Sequence, residues 1–229
     1  MFDVPFVETK TVTGLLEPDE RELKSKGFRA PPGPLRTYVA LGMPLVTLLT
    51  KKTAGSDGSV ADLIAADAAH RFYHVRFSCT FHPTDGATFE KAWVLATLTA
   101  GKAGQPAPIA LSLEPLRTDQ PVELSESFEL GVDFKFVNAK IGVDTKVPSS
   151  LIFAEGLNEG SSEPAWEFTQ TRAQAIRGLQ RLQMIVRTSS SGVSRGSIQL
   201  TASIARPGFA SIPTRARFED QPEVAFALE

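Results

Sequence analysis

With 229 residues, 42% of them hydrophobic and 22% charged, the chain is long enough to bury a sizeable core in one large all-β domain or two small ones, without disulfides or a metal. Its formal net charge of −2 gives no whole-chain attraction to nucleic acid, and its single cysteine, Cys79, excludes an intrachain disulfide and a Cys-based zinc cluster. The opening residues carry neither a basic nor an apolar targeting segment, and no window approaches the roughly eighteen apolar residues of a membrane-spanning helix, so a cytoplasmic location is expected.

Residues 2–12 alternate loosely and predict an edge strand that tolerates Pro5. The EPDERELKSKG run follows, with Pro18 at a first helical position, acids in the first turn, Lys24 and Lys26 in the last, and Gly27 beyond them: a short helix. APPGP at 30–34 is a stiff connector. Apolar residues fill 38–50 around Gly42 and Pro44, which predicts two short strands or one bulged strand. An Ala- and Asp-rich helix of about ten residues is expected over 60–69.

The strongest hairpin pattern comes next. Tyr73, Val75, Phe77, Cys79 and Phe81 share one parity, Pro83 to Gly86 supply turn chemistry, and 89–98 returns as a second strand. Residues 93–98 are apolar on both parities, which predicts cover on both faces. A surface loop is expected over 99–108, then short strands at 109–113 and 151–157. Between these lies 127–147, the longest two-residue alternation in the chain, in which Phe128, Leu130, Val132, Phe134 and Phe136 line one face. Helix-compatible residues occupy 171–181, strands are expected at 182–188 and around Ile198 to Ile204, and Val224, Phe226 and Leu228 end the chain with an edge strand. The fold class is therefore mainly β, a Greek-key or jelly-roll-like β-sandwich with one or two short peripheral helices. We read 1–229 as a single β-rich domain, with 1–34 as an N-terminal extension.

Chemistry-bearing motifs are sparse. Gly192 to Gly196 spells G-x-S-x-G, but strands are expected on both sides and all three histidines precede Ser194, so a Ser/Gly loop is the simpler reading. His74 and His82 share a face about 26 Å apart at about 3.3 Å per residue, too far to hold one metal. Cys79 lies on the apolar parity and is expected to be a buried, inert thiol. No phosphate loop, dinucleotide fingerprint or EF-hand loop occurs, so no cofactor is expected.

Charge is more informative. Residues 170–218 hold eight arginines and no lysine or acid, while 110–168 hold eleven acids against four bases. Arg177, Arg181, Arg187 and Arg195 are the candidate anion or partner-binding residues, since guanidinium groups suit bidentate oxyanions. Packing of the two blocks against each other, within the domain or between subunits, is the simpler expectation. These features favour a non-enzymatic module that acts through protein–protein contacts or self-assembly, partly electrostatic. A membrane-perforating hairpin at 127–147 is the alternative. A hydrolase using Ser194 is the second.

Overall fold

The structure, a computed structural model, describes residues 10–25, 27, 37–50, 58–84, 86–118, 152–190, 192–206, 209–219 and 221–229. In chain order these form β1 (Thr11–Pro18), α1 (Glu20–Ser25), β2 (Tyr38–Gly42), β3 (Leu45–Leu49), α2 (Gly58–Ala66), β4 (His70–His82) and β5 (Thr88–Ala100). There follow β6 (Ile109–Glu114), β7 (Arg117–Thr118), β8 (Ala154–Leu157), β9 (Ala165–Thr169), β10 (Gly178–Ser189), β11 (Ser194–Arg206), β12 (Phe209–Phe218) and β13 (Val224–Leu228).

All thirteen strands belong to one antiparallel sheet, ordered β6-β10-β4-β2-β1-β12-β11-β5-β9-β8-β7, with β13 on β11 and β3 on β4. The two ends of this order, β6 and β7, are separated in the chain only by Pro115 and Leu116. The sheet therefore curls until its ends meet. Backbone hydrogen bonds fasten the seam: Ala110 N to Ser161 O (2.9 Å), Gly160 N to Ala110 O (2.7 Å) and Gly156 N to Leu116 O (2.8 Å). A side chain at Gly156 would stand 3.1 Å from Leu113 Cβ and from the Pro115 carbonyl, so a small residue suits the seam.

Alternation directs the core inward. Val75, Phe77, Cys79 and Phe81 of β4, Leu182, Met184 and Val186 of β10, and Ile198, Leu200 and Ile204 of β11 are all buried in one cluster. Strands far apart in hydrogen-bonding order meet across it. Phe77 packs edge-on to Trp166 of β9 at 5.5 Å, and Phe81 reaches both Phe89 of β5 (5.2 Å) and Phe168 of β9 (5.5 Å). Each fully buried Phe contributes about 1.5–3 kcal/mol of apolar transfer, so these rings dominate the cohesion of the fold.

Several expectations change. β4 and β5 are not a hairpin: β4 pairs with β10, β2 and β3, whereas β5 pairs with β11 and β9. The connection, in which Ala87 N donates to Thr84 O (2.9 Å), leads between facing parts of the sheet, and the large inward rings of the two strands meet through the core instead of side by side. Residues 93–98 are not covered on both faces, since Leu95 is 37% exposed. Of the edge strand expected over 2–12, residues 2–9 with Pro5 lie outside the described residues; β1, over Thr11–Pro18, lies between β2 and β12. Its end displaces Pro18 from the helix. Asp19 caps α1 instead, its Oδ1 accepting from Arg21 N (3.1 Å) and Glu22 N (3.2 Å), and Leu23 docks the helix.

No helix forms over 171–181. Thr171 N donates to Gln174 O (2.9 Å) and Gln174 N to Thr171 Oγ1 (3.0 Å), closing a turn, after which buried Ile176 and positive-φ Gly178 lead into β10. Outside the sheet, Leu63 and Ile64 of α2 pack on Leu49, Phe72 and Ile185. Among the described residues no helix is long and apolar enough to cross a membrane, which says nothing of crossing by strands.

Candidate partner-binding face

Antiparallel register lines up four side chains on the outer face of the sheet. His82 of β4 pairs with Tyr38 of β2, Tyr38 with Leu15 of β1, and Leu15 with Arg217 of β12. Leu16 turns into the core, so Leu15 must point out, and it is 44% exposed beside a Tyr38 that is 37% exposed. The Tyr38 and His82 rings stack with centroids 4.6 Å apart. This row borders an open groove of about 460 Å³ lined by Thr13, Leu15, Glu17, Tyr38, Arg217 and Glu219.

Charged groups flank the apolar row. Arg217 Nη1 donates to Glu17 Oε2 (3.4 Å) and Arg215 Nη2 to Asp19 Oδ2 (3.4 Å). Both guanidinium groups are half exposed, so their charge remains available to a second carboxylate. Glu219 closes the groove from a reversal with φ 44°, in which Phe218 and Gln221 exchange backbone hydrogen bonds of 2.7 and 2.6 Å. An exposed Tyr and Leu with an Arg beside them and a polar rim have the composition of protein-contact surfaces.

A polar chain, buried at His74 and Gln183 and exposed at Glu114, occupies the outer face elsewhere. His74 Nε2 lies 2.9 Å from Gln183 Oε1, and Gln183 Nε2 donates to Glu114. Burial, opposed by the Gln183 hydrogen bond and reinforced by the nearby Arg76, lowers the His74 pKa to about 4. At neutral pH the ring is uncharged, with its Nε2–H donated to Gln183. It is oriented, but among the described residues no hydroxyl or thiol is in hydrogen-bond contact with it. Glu167 sits in another cluster: burial opposes its charge, yet bonds from Lys91 (2.6 Å), Trp93 (3.1 Å) and Thr169 (3.2 Å) outweigh burial and lower its pKa.

The four candidate arginines do not share one surface. Arg181 and Arg187 lie on the outer parity of β10, and Arg177 precedes that strand. Arg195 is on β11, with β4, β2, β1 and β12 between. Arg187 Nη1 approaches Asp67 Oδ2 at 3.9 Å, and Asp67 Oδ1 also meets His70 Nδ1 at 2.7 Å. Among the described residues, the pairs of Arg187, Arg215 and Arg217 draw on acids near the N-terminus and after α2, while six of the eleven acids of the 110–168 block lie outside the described residues.

Ser194 begins β11, buried, between Ala100 and Leu228, and β2, β1 and β12 separate that strand from the histidines of β4. Its flanking glycines serve packing. A side chain at Gly192 would meet the Gln105 amide at 2.7 Å, and one at Gly196 would meet the Phe226 ring at 2.1 Å. Cys79 is fully buried, which raises its thiol pKa and leaves it inert. Phe128, Leu130, Val132, Phe134 and Phe136 lie outside the described residues. Among the described residues no three His, Cys, Asp or Glu side chains converge as a metal site.

Sequence reading missed Leu15, Tyr38, Glu17 and Arg217. The adjacent pair Leu15 and Leu16 hides which parity is buried, but Tyr38, one of only two tyrosines, was an available marker of a surface with a polar tip. No protein-family model matches the chain, and no curated protein matches it.

Proposed function

We propose that this chain is a cytoplasmic, non-enzymatic module with a flattened, sandwich-like β-fold that works through protein–protein contacts or self-assembly, with an electrostatic contribution. The observation that carries the reading is the outward row of His82, Tyr38, Leu15 and Arg217 over an open groove. Apolar area there supplies binding energy on desolvation, and the Glu17, Arg217 and Glu219 charges at the rim select and orient the partner. The sandwich form is supported by the Phe81 contacts with Phe89 and Phe168, which bring facing parts of the sheet together.

The test compares the wild-type chain with a Leu15→Ser/Tyr38→Ser double variant. Sedimentation velocity and cross-linking at low salt should give an assembly, of the chain with itself or with a captured protein, that the double variant loses while its melting temperature stays within about 2–4 °C of wild type. A strictly monomeric wild type that captures nothing at low salt would refute the proposal.

A further inference from the structure

Among the described residues, β13 has one partner strand and one open side. β13 pairs with β11 from Val224 opposite Ile198 to Leu228 opposite Ser194. Along its other edge, no residue from 224 to 228 makes a ladder or other backbone hydrogen bond among the described residues. Neither Pro nor Lys interrupts the VAFAL sequence, so the usual protections of an exposed edge are missing inside it.

The two faces of this strand differ sharply. Val224, Phe226 and Leu228 are buried, so a strand added beside them would extend the apolar interior. Glu223, Ala225, Ala227 and Glu229 are exposed on the opposite parity, two carboxylates six residues apart with only small side chains between. Residues 219–229 contain four acids and no base. Pairing β13 with its own copy about a two-fold axis at Phe226 would set Glu223 opposite Glu229 at both ends. Like charges directly opposite are destabilising, so the edge is ill-suited to itself.

We propose that the open edge of β13 receives an extended segment of a partner protein as an added strand, with basic side chains six residues apart that meet Glu223 and Glu229. Backbone hydrogen bonds supply affinity, and the two acids select the segment. This surface is separate from the Tyr38 face and stands or falls independently of it.

The full chain is titrated with the capped peptide Lys-Val-Ala-Val-Ala-Val-Lys and with the same peptide carrying Glu at both ends. Addition of the basic peptide should slow amide exchange at 224–228 about tenfold or more, and the acidic peptide should bind at least about tenfold more weakly, a gap that narrows at high salt. An Ala227→Lys variant should lose basic-peptide binding with its melting temperature retained. Unchanged exchange at 224–228, or equal binding of the two peptides, would overturn the proposal. So would a dimer of the wild-type chain that Ala227→Lys disperses, since the edge would then belong to a second copy.

Discussion

Gly196 lies directly opposite Phe226 in the β11–β13 pair, and the aromatic ring covers the glycine so closely that a Cβ there would stand 2.1–2.7 Å from three ring carbons. Gly14 stands in the same relation to Phe218 across β1 and β12, with ring atoms 2.6–2.7 Å from the position of a Cβ. In both places a ring takes the space that a strand glycine leaves empty, which offsets the weakness of glycine in a sheet. Gly196→Ala should therefore cost about 1–3 kcal/mol by overpacking, whereas Ser194→Ala, two residues away, should stay within about 1 kcal/mol. Denaturant unfolding of both variants checks this. A catalytic role for Ser194 would instead appear as ester or peptide hydrolysis lost in Ser194→Ala.

His74 makes stability depend on pH. Its folded pKa of about 4 lies below the ordinary 6.5, so the unfolded chain binds the proton more readily. Stability is therefore highest above the unfolded pKa, falls as pH drops from about 6.5 to about 4, and levels off below. The full shift corresponds to about 3 kcal/mol. Unfolding curves between pH 7.5 and 4 should show this slope over the carboxylate background, and His74→Gln should remove that part of it. A slope identical in the two proteins would mean that the ring is solvated.

Gln183, itself buried, joins the buried His74 to the exposed Glu114. Gln183→Leu removes the acceptor for His74 Nε2 and the donor to Glu114, and should cost about 1–3 kcal/mol, chiefly by leaving the buried His74 Nε2–H unpaired, since the exposed Glu114 can turn to water. Because that hydrogen bond raises the His74 pKa against burial, its loss should lower the pKa further, which an NMR titration of the ring would report.

How far the sequence revealed this molecule is clearest at β4. The parity of Tyr73 to Phe81 identified a strand and its buried face, since period-two alternation is a local property. Its neighbours were not legible, because pairing is non-local: β4 pairs with β10, about a hundred residues later, while the adjacent β5 faces it across the core. β12 escaped notice because Pro213, Thr214 and Ala216 supply little apolar contrast. It is nevertheless an internal strand, with Thr214 Oγ1 donating to Ala202 O at 2.8 Å. The Tyr38 and Leu15 face depends on the same kind of information, as four strands, β4, β2, β1 and β12, meet there.

Phe81 separates the requirements of the fold from those of the surface. It touches Phe89 and Phe168 on two other strands and is 1% exposed, so Phe81→Ala should cost about 3–5 kcal/mol. Arg217→Ala removes an exposed 3.4 Å ion pair with Glu17 and should cost no more than about 1 kcal/mol. Association should show the reverse order if the outer row is the contact surface. A destabilised but still folded Phe81→Leu should associate as wild type does, whereas Arg217→Ala, though stable, should bind more weakly and with a smaller salt dependence. Equal association by Arg217→Ala and wild type at low salt would move the electrostatic contact away from β12.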